Sequence, residues 1–133
     1  MIKKLFVFIM MVVSGAAMLT ACNTEKGEAP LTYEQITPAE AKKLMDTEKD
    51  YVILDVRTQE EFDEGHIENA VLIPDYEIEQ KAESVLKDKE QLILVYCRSG
   101  RRSKLAADSL VKLGYSNVKE FGGIIDWQYG TVK

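Results

Sequence analysis

Four short apolar runs, separated by helix-type segments, constrain the fold of this chain more than any other feature. They cover residues 51–56, 70–73, 92–96 and 118–121. Continuous apolar strands are typical of a sheet covered on both faces, and strands that alternate with helices are typical of a parallel sheet. We therefore expect an α/β domain with a mainly parallel sheet and helices on both faces.

The helix starts support this prediction. Residues 37–40 and 58–61 each place a threonine at the N-cap and a glutamate three positions later, which is the capping-box pattern. A third helix is predicted over residues 102–113, with Leu105 and Leu110 among the apolar residues on its inward face. This helix follows directly after a cysteine-containing loop, so it bears on chemistry as well as on fold.

The N-terminus has the layout of a targeting segment. Residues 1–21 begin with a short cationic stretch and continue as an uncharged apolar run, which is typical of a secretory signal peptide and shorter than a spanning helix requires. Leu19-Thr20-Ala21-Cys22 resembles the lipobox of bacterial lipoproteins. This resemblance implies cleavage before Cys22 and lipidation of its thiol. An ordinary secretory signal that leaves Cys22 free is the alternative.

The segments after the signal peptide follow from this interpretation. Residues 22–30 form a lipidated cysteine and a polar tether, and residues 31–133 form one domain. Two or more acyl chains hold a protein firmly on a membrane. We therefore expect a lipid-anchored protein of the cell envelope, with its domain on the extracytoplasmic side.

Charge and cysteine content narrow the function. The net charge of −5 gives no support for nucleic-acid binding, which requires a basic face. The chain has two cysteines, so once Cys22 is assigned to lipid no intramolecular disulfide can form. Cys97 is then the one remaining thiol, and an unpaired cysteine in an exported chain indicates a reactive role.

The sequence around Cys97 indicates what that role is. Cys97 follows an apolar strand, and residues 98–103 lead into a helix, so the cysteine lies at the strand end where open α/β sheets bind ligands. Gly100 permits a tight turn whose backbone N–H groups, together with the helix N-terminus, form an anion site. Such a site favours the thiolate, which is the reactive form of cysteine.

Three arginines flank this loop. Arg98, Arg101 and Arg102 lie within five residues of Cys97 and would attract a small anion by charge. A buried cysteine beside solvated arginines is the non-functional alternative. The order of strand, cysteine, basic glycine-containing loop and helix favours the functional interpretation.

Several ordered motifs resemble the rhodanese family over residues 36–129. The motifs are Leu-Asp-Val-Arg at 54–57, Gly-His-Ile-Glu-Asn-Ala at 65–70, Cys-Arg-Ser-Gly-Arg-Arg-Ser at 97–103, and Phe-Gly-Gly-Ile followed by Asp-Trp at 121–127. The resemblance implies a five-stranded, mainly parallel sheet with helices on both faces. Asn69 stands where the family usually has glycine, and asparagine tolerates the left-handed conformation that such a turn requires.

The resemblance also implies an activity. Cys97 would take a sulfane sulfur from a small anionic donor such as thiosulfate, and cyanide or a thiol would then accept it. No metal and no organic cofactor is required. The residues expected to bind the substrate or its sulfur are those of the loop, together with one arginine after the first apolar run: Arg98, Ser99, Gly100, Arg101, Arg102, Ser103 and Arg57.

Two alternatives stay open at this point. A cysteine phosphatase or arsenate reductase of related architecture also holds its cysteine in an anion-binding loop, of the form Cys-x5-Arg. Arg102 lies five residues beyond Cys97, one position short of this spacing, so loop length argues against the alternative without excluding it. Tyr96 also stands where histidine would precede the cysteine. The second alternative is a non-catalytic rhodanese fold that binds a partner or senses oxidants through Cys97.

Overall fold

The computed structural model describes residues 30–133. The predicted signal peptide, the lipidation site Cys22 and most of the predicted tether lie outside the described residues. No helix within 30–133 is long and apolar enough to cross a membrane.

Five parallel strands form one sheet in the order β1-β5-β4-β2-β3. The strands are β1 (Glu34–Gln35), β2 (Tyr51–Asp55), β3 (Val71–Leu72), β4 (Leu92–Cys97) and β5 (Val118–Gly123). The predicted fold class is thus confirmed. The four apolar runs correspond to β2 to β5. Strand β1 has no apolar run because both its residues are exposed at the sheet edge.

Four α-helices cover the two faces of the sheet. They are α1 (Pro38–Thr47), α2 (Gln59–Glu64), α3 (Ile78–Val85) and α4 (Arg101–Lys112), with 3₁₀ turns at Asp75–Glu77 and Ile124–Asp126. One core cluster packs α3 and α4 against Val95 and Cys97 of β4. The other packs Ala41 of α1 against Leu94 and Tyr96 of the same strand. Side chains therefore alternate between the two faces along β4.

The two predicted capping boxes have different outcomes. At Thr37 both hydrogen bonds of the box are present, which confirms the prediction. At Thr58 the hydroxyl accepts from the backbone N–H of Glu61, but the return bond to the backbone is missing. The carboxylate of Glu61 instead binds Arg102 on α4, because a charged partner is the stronger donor.

Two further expectations concern single positions. Asn69 adopts φ 66°, which confirms that asparagine carries the left-handed turn where the family usually has glycine. The placement of Leu105 on the inward face of the third helix is wrong, because its side chain is 53% exposed. The buried positions of α4 run through Ser103, Ala106 and Leu110, and Leu105 falls beside this stripe.

Candidate active site

Cys97 is the last residue of β4 and is almost completely buried. Three residues, 98–100, separate it from the first residue of α4. Gly100 adopts φ 106°, a left-handed conformation that glycine reaches without a steric penalty. This turn directs the N–H of Gly100 at the sulfur, with 3.0 Å between N and Sγ. The loop therefore stabilises negative charge on the sulfur with a backbone donor.

Ser103, one turn into α4, is the second contact of the sulfur. Its Oγ lies 3.4 Å from Sγ of Cys97, and the thiol donates in this pair. The same hydroxyl donates to Oε1 of Glu120 at 2.6 Å, and the N–H of Gly122 donates to that oxygen at 2.7 Å. Thiol, hydroxyl and buried carboxylate thus form one continuous hydrogen-bonded chain.

The remaining loop residues have different environments. Arg98, Ser99 and Arg101 are exposed, so both of these arginines present charge to solvent at the mouth of the loop. Arg102 is partly buried, and its two terminal nitrogens bind the two oxygens of Glu61 at 2.8 and 2.9 Å. Of the three predicted loop arginines, two are thus free to attract an anion within the described chain, and the third joins α4 to α2.

The Arg102–Glu61 pair also shapes the electrostatics near Cys97. Hydrogen bonds from Arg102 lower the pKa of Glu61 to about 2. The pKa of Arg102 is raised, chiefly by the bond to Glu61 and further by the charges of Cys97 and Asp75. The net cationic effect of Arg102 at the sulfur is therefore smaller than the sequence suggests, because two carboxylates lie beside it.

Arg57, the remaining predicted substrate residue, lies on the opposite side of the sheet. Its guanidinium binds both oxygens of Asp55 and the carbonyl of Gly65, the last at 2.7 Å. Tyr96 also donates to Asp55, and the pKa of its hydroxyl is raised mainly by burial. Tyr96 belongs to the core cluster opposite that of Cys97. The structure does not bring Arg57 together with the cysteine loop.

Trp127 lies on this opposite side too. Its ring packs against Phe121 with 5.6 Å between ring centroids, and its Nε1 donates to the carbonyl of Gly130. Trp127 therefore fixes the segment that follows β5 to the core.

Two residues of β5 contribute to the site without having been predicted from the sequence. Glu120 is 2% exposed although it is charged, and Gly123 has Arg98 of the loop against it. A Cβ on Gly123 would lie 1.9 Å from the carbonyl oxygen of Arg98. Two sequence signals point to these residues. Glu120 lies two positions after the inward-facing Val118 and therefore on the same face of the strand, and a pair of glycines inside a strand marks a close approach of another backbone.

The site and fold together define a class of protein: a parallel α/β domain with a buried cysteine at the end of a central strand, followed by a short loop and a helix. Within this class the chain belongs to the rhodanese family, because the model of the rhodanese-like domain matches residues 37–129.

Relatives and solved structures agree with this assignment. The chain is 36% identical to the thiosulfate sulfurtransferase GlpE of Coxiella burnetii over 99 residues, which cover 74% of this chain and 90% of the relative. It is 34% identical to the thiosulfate sulfurtransferase PspE of Escherichia coli over 80 residues, which cover 60% and 77%. A structure described as a rhodanese with anions from E. coli matches with a TM-score of 0.59 and 32% identity, covering 62% of this chain and 98% of that one.

Proposed function

We propose that this protein is a sulfurtransferase that moves a sulfane sulfur from an anionic donor such as thiosulfate to a thiophilic acceptor through a persulfide on Cys97. One observation carries the proposal: the buried sulfur of Cys97 receives the N–H of Gly100 at 3.0 Å, below a loop with two exposed arginines. Relatives named thiosulfate sulfurtransferase support the same donor.

The proposed reaction has two steps. The Cys97 thiolate attacks the outer sulfur of thiosulfate, a new S–S bond forms, and the original S–S bond breaks as its electron pair leaves with sulfite. Cyanide or a thiolate then attacks the terminal sulfur, and the Cys97 thiolate leaves with its electron pair. The N–H of Gly100 favours the anionic sulfur in both steps.

The test follows the sulfur on the full chain carrying Cys22→Ser, so that Cys97 is the only thiol. Thiosulfate should raise the intact mass by one sulfur atom, and cyanide should remove that sulfur as thiocyanate. Cys97→Ser should abolish both events. A serine variant that still converts thiosulfate and cyanide at the parent rate would contradict the assignment of Cys97.

The same preparation tests the phosphatase alternative. Arg102 would have to face a bound phosphate, but both its terminal nitrogens bind Glu61. We therefore expect sulfur transfer without hydrolysis of a phosphate monoester such as p-nitrophenyl phosphate. Phosphate release that requires Cys97, without any gain of sulfur from thiosulfate, would replace the sulfurtransferase proposal with phosphoryl chemistry.

We further propose that a lipid on Cys22 anchors the protein to a membrane of the cell envelope, with the domain on the extracytoplasmic side. The Leu19-Thr20-Ala21-Cys22 motif supports this proposal. Because each buried methylene contributes about 0.8 kcal/mol, two or three acyl chains hold the protein through salt washing, whereas detergent releases it. Cys22→Ser should appear in the salt-washed soluble fraction. A variant that stays with the membrane would contradict lipid anchoring and leave the sulfurtransferase proposal untouched.

A further inference from the structure

Glu120 is a buried acid in β5. It is 2% exposed, and it forms no salt bridge among residues 30–133. Its neighbours in strand register are Gln35 on β1 and Val95 on β4, and both are uncharged. A buried carboxylate without a cation is costly unless it is well hydrogen-bonded or takes up a proton.

The hydrogen bonds of Glu120 lead to the nucleophile. The Ser103 hydroxyl has one proton to donate, and the Glu120 carboxylate, at 2.6 Å, is a nearer and stronger acceptor than the carbonyls of Gly100 and Gly122 at 3.0 and 3.4 Å. The oxygen of Ser103 is then free to accept the thiol proton of Cys97. Donors and acceptors thus align in one direction, from sulfur to carboxylate.

We propose that Glu120 takes up the proton of the Cys97 thiol through the Ser103 hydroxyl, so that the sulfur and the carboxylate share one proton. The thiol proton moves to Oγ of Ser103 while the proton of that hydroxyl moves to Oε1 of Glu120. The products are a thiolate that accepts from Ser103 and a neutral carboxylic acid. The net charge does not change, so no second negative charge is buried beside the first.

This assignment rests on the proposed function for its catalytic meaning. Persulfide formation from a thiol releases one proton, and Glu120 would hold that proton while the terminal sulfur is anionic. When a thiophile removes the sulfur, the proton returns to the Cys97 thiolate along the same path. Glu120 is a positioning residue in this scheme, because it acts on the sulfur through Ser103 without touching it.

Arg98 and Arg101 are exposed at the mouth of the cysteine loop, and the other charged groups near the sulfur are paired. Arg102 on α4 faces Cys97, but Glu61 on α2 binds it and Asp75 in the 3₁₀ turn lies near it. Lys119 precedes Glu120 in β5, and it pairs with Glu34 at the sheet edge. None of these groups contacts the Ser103 hydroxyl, so Glu120 is the acid connected to the thiol by hydrogen bonds in the described chain.

The first experiment is independent of thiosulfate. In the full chain carrying Cys22→Ser, infrared spectroscopy follows the S–H stretch of Cys97 and the C=O stretch of protonated carboxyl groups as the pH is varied. Two sites that share a proton titrate in common steps. We therefore expect the S–H band and a carboxyl band to change together, and Glu120→Gln to remove that carboxyl band and leave one S–H step. Separate, single steps for the two bands in the parent chain would overturn the proposal.

The second experiment measures how fast thiosulfate loads sulfur onto Cys97 in a single turnover. Glutamine keeps an oxygen that accepts the same two hydrogen bonds but does not take up the proton, so Glu120→Gln separates proton holding from packing. We expect a loss of about 10²-fold, typical of a removed proton acceptor. Glu79→Gln, which alters an exposed acid on α3, serves as the matched control.

Two variants of Ser103 test the same proton path even if Glu120→Gln does not fold. Ser103→Ala breaks the path and should slow loading to a similar extent, and Ser103→Thr should recover most of the rate because it keeps a hydroxyl. Loading at the parent rate in Glu120→Gln would overturn the role of Glu120. Shared infrared steps in a chain that accepts no sulfur would leave the proton sharing intact and contradict the proposed function instead.

Discussion

Two buried carboxylates lie on the strands that flank β4, and they differ in what surrounds them. Asp55, at the end of β2, is paired with Arg57 and hydrogen-bonded by Tyr96 on one face of the sheet. Glu120, in β5, has neutral donors and a chain of hydrogen bonds to Cys97 on the other face. Removing the cation from a buried ion pair is strongly destabilising, whereas a buried carboxylate that has only neutral donors is available to exchange a proton.

The largest expected effect concerns the pair on the Asp55 side. Arg57→Ala leaves Asp55 fully buried without its countercharge, and breaking a buried pair costs about 3–5 kcal/mol. Urea denaturation should show this as a loss in the free energy of unfolding. Glu120→Gln, which keeps its acceptor oxygen, should lose much less. Equal losses in the two variants would show that Glu120 contributes as much to the stability of the fold as the Asp55–Arg57 pair.

The next largest expected loss of stability differs between the two glycines at the end of β5. Gly123→Ala places a methyl group against the carbonyl of Arg98, so the cysteine loop must move; overpacking of this kind costs about 2–3 kcal/mol. Gly122→Ala meets open space and has only its φ of 91° to strain, at about 1 kcal/mol.

Sulfur loading onto Cys97 provides the sharper measurement for this pair. Gly123→Ala should lose most of its loading rate because the loop that carries the N–H of Gly100 is displaced, while Gly122→Ala should retain the larger part. A Gly123→Ala variant that loads sulfur as fast as Gly122→Ala would show that the loop tolerates the shift.

The fold and the position of the cysteine could be predicted from the sequence, whereas the contacts between distant residues could not. The sheet and Cys97 follow from local patterns, because apolar runs and a basic glycine-containing loop are visible along the chain. The hydrogen-bond partner of a side chain, in contrast, depends on residues that are distant in the sequence. The partner of Glu61 is Arg102, 41 residues away, and Ser103 meets Glu120 across 17 residues. Capping rules assigned Glu61 to its own helix, and tertiary contact with a charged donor overrode them.

The position of Arg57 also could not be predicted from the sequence. An arginine directly after a strand end predicts an anion ligand, but Arg57 binds Asp55, which also accepts from Tyr96 on the face opposite Cys97. Deciding between the faces requires the register of the strands, which residue spacing within one motif does not contain.

A smaller effect tests the Arg102–Glu61 pair, which joins α4 to α2 beside the cysteine loop. The pKa of Glu61 is lowered to about 2 in the folded chain, below the ordinary value of 4.5. Its contribution to stability is therefore complete above pH 4.5 and is lost as the pH falls toward 2. The pair is partly exposed, so we expect about 1 kcal/mol.

Denaturation at several pH values measures this contribution. Glu61→Gln should be less stable than the parent near neutral pH, and the difference should vanish near pH 2. Glu64→Gln, which alters an exposed acid at the end of the same helix, should match the parent throughout. A constant difference between Glu61→Gln and the parent at every pH would show that the charge of Glu61 does not stabilise the fold.

The smallest effect on stability, and a distinct effect on function, is expected for the exposed arginines of the loop. Arg98→Ala or Arg101→Ala removes a solvated charge, so the free energy of unfolding should change by less than about 0.5 kcal/mol. The KM for thiosulfate should rise about two- to five-fold, the range that a surface charge worth 0.5–1 kcal/mol provides, with a smaller change in kcat. High salt should reduce the difference, because it screens exposed charges.

Lys112→Ala is the matched control for these variants. It removes a charge at the far end of α4 and should leave the KM for thiosulfate unchanged. If Arg98→Ala and Arg101→Ala behave like Lys112→Ala, the anion is captured by the backbone of the loop alone, and the functional side of the sheet depends on Cys97, Gly100 and the path to Glu120.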